Sequence, residues 1–158
     1  MKKLVAYFSA TCVTAKVANQ LADAIDADVF EIRPAQIYSK EDLNWWEKSS
    51  RSTIEMNDTT SRPEIAKRRD NMGEYDIIYV GFPIWWNVAP RIVNTFLESY
   101  DFSGKIIVPF ATSGGSGADQ VNSSIQSSCA GADLKEAKLL PADAALADLA
   151  EWAESVIL

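Results

Sequence analysis

Ile77-Ile78-Tyr79-Val80-Gly81-Phe82 is a nearly continuous apolar run that ends in Pro83-Ile84-Trp85-Trp86-Asn87. Its β-branched and aromatic members describe a strand buried on both faces, as at the centre of a parallel sheet. Pro83 closes it, having no N–H to offer a sheet ladder. Two indoles follow, just where a helical pattern is about to begin. An apolar strand opening into a Trp-Trp turn is unusual for a purely structural segment, and points to a wall for a flat, π-rich ligand.

The flanking sequence repeats the theme. Leu4 to Phe8 is a second apolar run, followed by Val17, Ala18, Leu21, Ala24 and Ile25 at helical spacing. Val29 to Ile32 alternates around Glu31, as a strand near a sheet edge does, and Arg33-Pro34 stops it. Ala35 to Glu74 is charged but nearly balanced. In it, Lys40–Ser50 reads as a short helix containing Trp45 and Trp46, and Arg62-Pro63-Glu64 as a second helix start. A structureless loop of this length would be improbable, so the segment reads as a decorated crossover. Beyond the Trp-Trp turn, Ile92, Val93, Phe96, Leu97 and Tyr100 mark a helix and Ile106 to Phe110 a strand. Ala118, Val121 and Ile125 mark another helix, which Ser127 to Gly131 end. Leu134 to Ala137 supplies a short last strand, and Ala145 to Val156 a closing helical stripe. Strands separated by helices run parallel, with right-handed crossovers covering both faces. The expected fold is α/β: one three-layer, doubly wound domain spanning residues 1–158.

Composition narrows the chemistry. The chain has 158 residues, is 47% hydrophobic and 23% charged, and carries a net charge of −7. That acidity, with a pI near 4.6, argues against nucleic acid or an anionic membrane as partner and suits docking to a basic protein. Histidine is absent, which rules out a Ser-His-Asp triad, a Cys-His dyad and any His-ligated metal. Cys12 and Cys129 are the only cysteines, too few for a disulfide framework or a four-cysteine metal site, so a reducing cytoplasm is expected. The apolar run after Met1-Lys2-Lys3 is too short, and too soon interrupted by Ser9, Thr11 and Thr14, for a signal peptide. No stretch approaches the ~20 apolar residues that a membrane span needs.

Three turns follow apolar strands and precede helices, so in a parallel sheet they meet at one edge, where ligands of such folds bind. Ser9-Ala10-Thr11-Cys12-Val13-Thr14 places three hydroxyls at a helix N-terminus, where free N–H groups favour a phosphate; the alternative is an ordinary cap. Pro83 to Asn87 supplies Trp85 and Trp86, which either pack as core or stack on a ring. Thr112-Ser113-Gly114-Gly115-Ser116-Gly117 has the glycines that let backbone approach a ligand, or is simply a flexible loop. Cys12 adds a competing chemistry, a nucleophile acidified by the helix end. Low-molecular-weight tyrosine phosphatases place an arginine six positions after such a cysteine. Ala18 stands there in this chain, so a small buried thiol is the preferred reading.

As a set the turns resemble the flavodoxin family, specifically its short-chain members. Tyr7-Phe8-Ser9-x-Thr11-x-x-Thr14 is similar to the family's phosphate loop, and Gly81-Phe82-Pro83-Ile84-Trp85-Trp86 to the loop along the isoalloxazine. Leu97 to Lys105 and Thr112 to Gly117 also match, so the resemblance spans essentially the whole chain. It implies a five-stranded parallel sheet of order 2-1-3-4-5 with FMN bound non-covalently. Ser9, Thr11, Thr14 and the backbone through Ala10, Cys12 and Val13 would hold the phosphate. Pro83, Ile84, Trp85, Trp86 and Asn87, with Thr112, Ser113, Gly114 and Gly115, would flank the ring, Trp85 stacking on it. The chain departs from the family's Thr-Gly-Asn-Thr at Cys12 and Val13, which restricts the backbone and removes bracing hydrogen bonds. Asn87 stands where many members carry glycine. The resemblance implies an electron carrier for a redox partner with a basic docking surface. An FMN-dependent NAD(P)H:quinone-type reductase, with Trp45 and Trp46 walling a substrate pocket, is the alternative. A degenerate flavodoxin fold serving as an interaction module is the third.

Overall fold

The structure, a computed structural model, describes residues 1–112 and 117–157. Strand β3 (Ile77–Pro83) is its axis, with every residue buried but the last. It pairs in parallel with β1 (Lys3–Tyr7) on one side and β4 (Ile106–Thr112) on the other. β2 (Asp28–Glu31) adds to β1 as an edge strand, partly exposed along its length as the alternation around Glu31 predicts. On the far edge, β5 (Asp133–Leu134) and β6 (Lys138–Leu139) both pair with β4. The path β2-β1-β3-β4-β5 is the expected order 2-1-3-4-5.

The two-residue period of β3 divides the molecule into two cores. Ile78, Val80 and Phe82 face α3 (Arg91–Glu98) and α4 (Val121–Ile125), where Ile92, Phe96, Leu97, Val121 and Ile125 are buried. Ile77 and Tyr79 face α1 (Val13–Ile25), whose Val17, Ala18 and Leu21 form its buried stripe. Leu149 and Ala153 of α5 (Leu146–Ser155) complete that side. Gly81 has a specific reason to be glycine: a Cβ there would lie 2.2 Å from the ring of Phe110, its register partner on β4. Any larger residue would displace that ring from the core.

Three local expectations are corrected. Lys40–Ser50 is a chain of turns rather than a helix. Ser39 and Asp42 cap each other's backbone N–H groups, and the Asn44 side chain accepts from the Trp46 N–H at 3.1 Å. Such short polar side chains divert the backbone from helical bonding. The helix, α2 (Arg51–Asn57), starts where those turns end and is capped by Ser50. Pro63 begins no helix, because the chain beside it runs extended: Ala35 donates to Glu64 and Ala66 to Arg33, flanking a Pro34–Ile65 bridge. The last strand is not one piece over Leu134–Ala137 but two. The Asn122 side chain takes both the Lys135 carbonyl and the Ala137 N–H, satisfying the interruption from α4.

Candidate functional site

The carboxyl ends of β1, β3 and β4 lie side by side, and direct bonds tie the turns after them together. Phe8 donates to Gly81 at 2.9 Å, and Ile84 to Thr112 at 3.0 Å. Thr14 and Thr112 share a buried hydroxyl–hydroxyl hydrogen bond of 2.7 Å. Only one of that pair can donate to the other, so one hydroxyl proton stays free to point elsewhere.

At the first turn, α1 begins at Val13 with Cys12 as its N-cap, held at φ 70° and ψ −6°. This is the left-handed region that favours glycine. Cys12 makes no capping bond; Ser9 does the work from outside the helix, its Oγ accepting the Ala15 N–H at 3.2 Å. The ordinary cap is therefore real for Ser9. Among the described residues, nothing accepts the N–H groups of Thr11, Cys12, Val13 or Thr14, and no acidic side chain stands in the first turn. Free N–H groups, the dipole of a thirteen-residue helix and the hydroxyls of Ser9 and Thr11 make an anion-binding donor set. Ala10 is half-buried beside them, while Thr11, Cys12 and Val13 are exposed. Cys12 is thus an accessible thiol rather than a buried one; Cys129 is the buried cysteine, its thiol pushed up by desolvation.

The second turn is a two-residue hairpin. Trp85 and Val88 exchange both backbone hydrogen bonds, at 3.0 and 3.1 Å, around Trp86 and Asn87. Both loop residues have positive φ, 51° and 68°, as a type I′ turn requires. Asn87 suits that conformation; Trp86, a bulky residue, does not. Behind the hairpin, Pro83 and Ile84 are half-buried. Of the two indoles, Trp85 is half-buried and Trp86 is 40% exposed. Trp85 meets Phe8 edge-on at 5.6 Å and 88°, and Tyr38 at 5.4 Å and 77°.

Tyr38 is the neighbour that sequence reasoning missed. Its only signal was the Arg51–Glu55 pair at helical spacing, which holds it from thirteen and seventeen residues downstream. A groove of about 140 Å³ runs between the first turn and Tyr38, lined by Phe8, Ser9, Ala10, Glu31, Arg33 and Ile37 among others. Burial and the Glu55 carboxylate push the Tyr38 phenol above its usual range, so it stays neutral and donating. Trp45 and Trp46 stack on each other at 4.1 Å, 58% and 79% exposed, and neither lines this groove. A larger groove of about 480 Å³, lined by Arg68, Arg69, Glu98 and Tyr100 among others, lies by the amino ends of β3 and β4 and contains no residue of the three turns. Of the third turn, Thr112 is buried at the end of β4; Ser113, Gly114 and Gly115 lie outside the described residues.

Comparison with known proteins agrees with this architecture. The family model described as Flavodoxin matches residues 2–156. The chain belongs to the flavodoxin family. A candidate flavoprotein from Bacteroides uniformis ATCC 8492 is 46% identical over 97% of each chain, with a TM-score of 0.91. Another from Bacteroides eggerthii DSM 20697 is 43% identical over 99% of this flavodoxin-family chain and 98% of its own, with a TM-score of 0.94. A flavoprotein from Lactobacillus acidophilus NCFM, solved in complex with FMN, shares the fold at 20% identity and a TM-score of 0.75, covering 87% and 92% of the two chains. No curated protein sequence matches the chain.

Proposed function

We propose that the chain binds FMN non-covalently and works as an electron carrier. The observation that carries this reading is the meeting, at one sheet edge, of N–H groups at the start of α1 that have no acceptor among the described residues with the Trp85–Trp86 hairpin. The donor set fits a phosphate: free N–H groups and hydroxyls, with no carboxylate in the helix's first turn to repel it. Ser9, Thr11 and the N–H groups of Thr11 to Thr14 would hold the phosphate. Trp85 and Trp86 offer π-faces for the ring, and Thr14 and Thr112 brace the two halves of the site. When bound, FMN supplies the redox chemistry; the protein contributes orientation, exclusion of water and the electrostatic setting of the potential.

Family membership and the FMN complex of the Lactobacillus acidophilus protein support the cofactor. The absence of histidine suits a role with no catalytic acid or base. A net charge of −7 disfavours an extra negative charge on reduced flavin, which lowers its potential, and steers a basic redox partner in the cytoplasm. The exposed Trp45–Trp46 stack is not seated over the Tyr38 groove, so nothing favours a walled substrate pocket. Mixing the FMN-loaded protein with NAD(P)H and a quinone separates carrier from reductase. The carrier leaves NAD(P)H unconsumed until a reductase protein is added. Steady oxidation by the loaded protein alone would make it a reductase.

A further inference from the structure

Tyr38 lies in the least regular part of the chain and is nevertheless held on every side. The Arg51 guanidinium stands 3.8 Å over its ring, and its hydroxyl donates to a Glu55 carboxylate oxygen. Arg51 Nε donates to the other Glu55 oxygen at 2.9 Å, and its Nη1 to the Gln36 carbonyl at 2.6 Å, so the clamp also pins the backbone leading to Tyr38. Arg91 of α3 then anchors α2 itself, donating to the carbonyls of Glu55 and Met56. What the clamp presents is a ring edge-on to Trp85 and to Phe8. The hairpin bonds fix the Trp85 backbone and leave its side-chain torsions open. Its indole is oriented by two rings. Both belong to the same buried cluster, but Phe8 follows directly on β1, whereas Tyr38 reaches it from the crossover and is held there by charge-assisted contacts.

We propose that Tyr38 is a positioning residue for the flavin site: clamped by Arg51 and Glu55, it sets the orientation of the Trp85 indole. This rests on the FMN reading above. Tyr38 acts through Trp85, and fixing that indole before binding removes rotamer entropy that the cofactor would otherwise have to offset.

The test is a double-mutant cycle on FMN affinity, with near-ultraviolet circular dichroism of the cofactor-free proteins as a second readout. Tyr38→Leu weakens FMN binding about tenfold, the scale of one lost aromatic contact. Added to Trp85→Ala, it weakens binding no further, because the two act as one unit. Tyr38→Phe keeps the ring and binds within about threefold of wild type. An unchanged dissociation constant in Tyr38→Leu, or losses that multiply in the double variant, would overturn the proposal. If Tyr38→Leu does not fold, Arg51→Met replaces it in the same cycle, with a loss of about threefold, again absent once Trp85 is gone. If wild type binds no FMN, the flavin reading falls separately. The dichroism then decides what is left of the proposal, that Tyr38 orients the Trp85 indole: Tyr38→Leu and Trp85→Ala removing the same tryptophan band supports it, and independent changes refute it.

Discussion

Cys12 sits with φ 70° at the N-cap of α1, caps nothing with its side chain, and holds the place where the resembling phosphate loops carry glycine. A side chain with a Cβ enters that left-handed region at a cost of roughly 1–2 kcal/mol. Glycine would relieve it while adding chain entropy to the unfolded state, so Cys12→Gly is expected to stabilise the protein by about 0.5–1 kcal/mol. Chemical denaturation checks this: the midpoint rises at constant slope, and an unchanged midpoint would mean that the cap carries no strain. The same change is expected to tighten FMN binding, since removing the Cβ opens the way to the free N–H groups. Trp86, at φ 51°, pays a similar conformational cost without a structural return, being 40% exposed. Strain kept at an exposed turn beside the proposed ligand-binding edge is what a functional site tolerates and a packing site does not.

β3 links the two cores, and Tyr79 shows what its burial implies for stability. The side chain is fully buried, donates to the Ala153 carbonyl of α5 at 3.0 Å, and meets Trp152 edge-on. Burial first, then the nearby Glu154 charge, pushes its phenol from an ordinary 10 up to about 12. A raised folded pKa means that the stabilisation is complete below pH 10 and is lost as pH rises through 12. Tyr7, Tyr38 and Tyr75 are shifted the same way, each chiefly by burial, and steepen the loss. Denaturation midpoints measured against pH should therefore fall across that alkaline window. Tyr79→Phe should fall less steeply, while losing about 1 kcal/mol at neutral pH with its hydrogen bond; an identical slope would discard the assignment. The strands themselves were plain in the sequence because buried strands must be apolar runs: Ile77–Phe82 and Ile106–Phe110 have no other reading at that length. The crossover was not. Its order comes from long-range side-chain contacts, Tyr38 with Arg51 and Glu55, Arg91 with the end of α2, and from the Pro34–Ile65 bridge. None of these leaves a periodic trace. Of the candidate site, the turns after β1 and β3 were legible as neighbours at one sheet edge, and Tyr38, which reaches that edge from the crossover, was not.

At the scale of the whole molecule, the fold gathers the candidate site at one edge. The carboxyl ends of β1, β3 and β4 carry the hydroxyl-rich helix start, the indole hairpin and the Thr14–Thr112 tie, while the larger groove at the opposite edge holds none of them. No helix among the described residues is long and apolar enough to cross a membrane. The carrier role proposed above, with docking through that edge where Trp86 is exposed, requires that FMN bind there. The direct measurement is a fluorescence and absorbance titration of FMN with the purified, cofactor-free protein. The account predicts quenching of FMN fluorescence to an equimolar end point, with the visible flavin bands shifted by aromatic contact. Fluorescence and bands that stay those of free FMN at excess protein would contradict it.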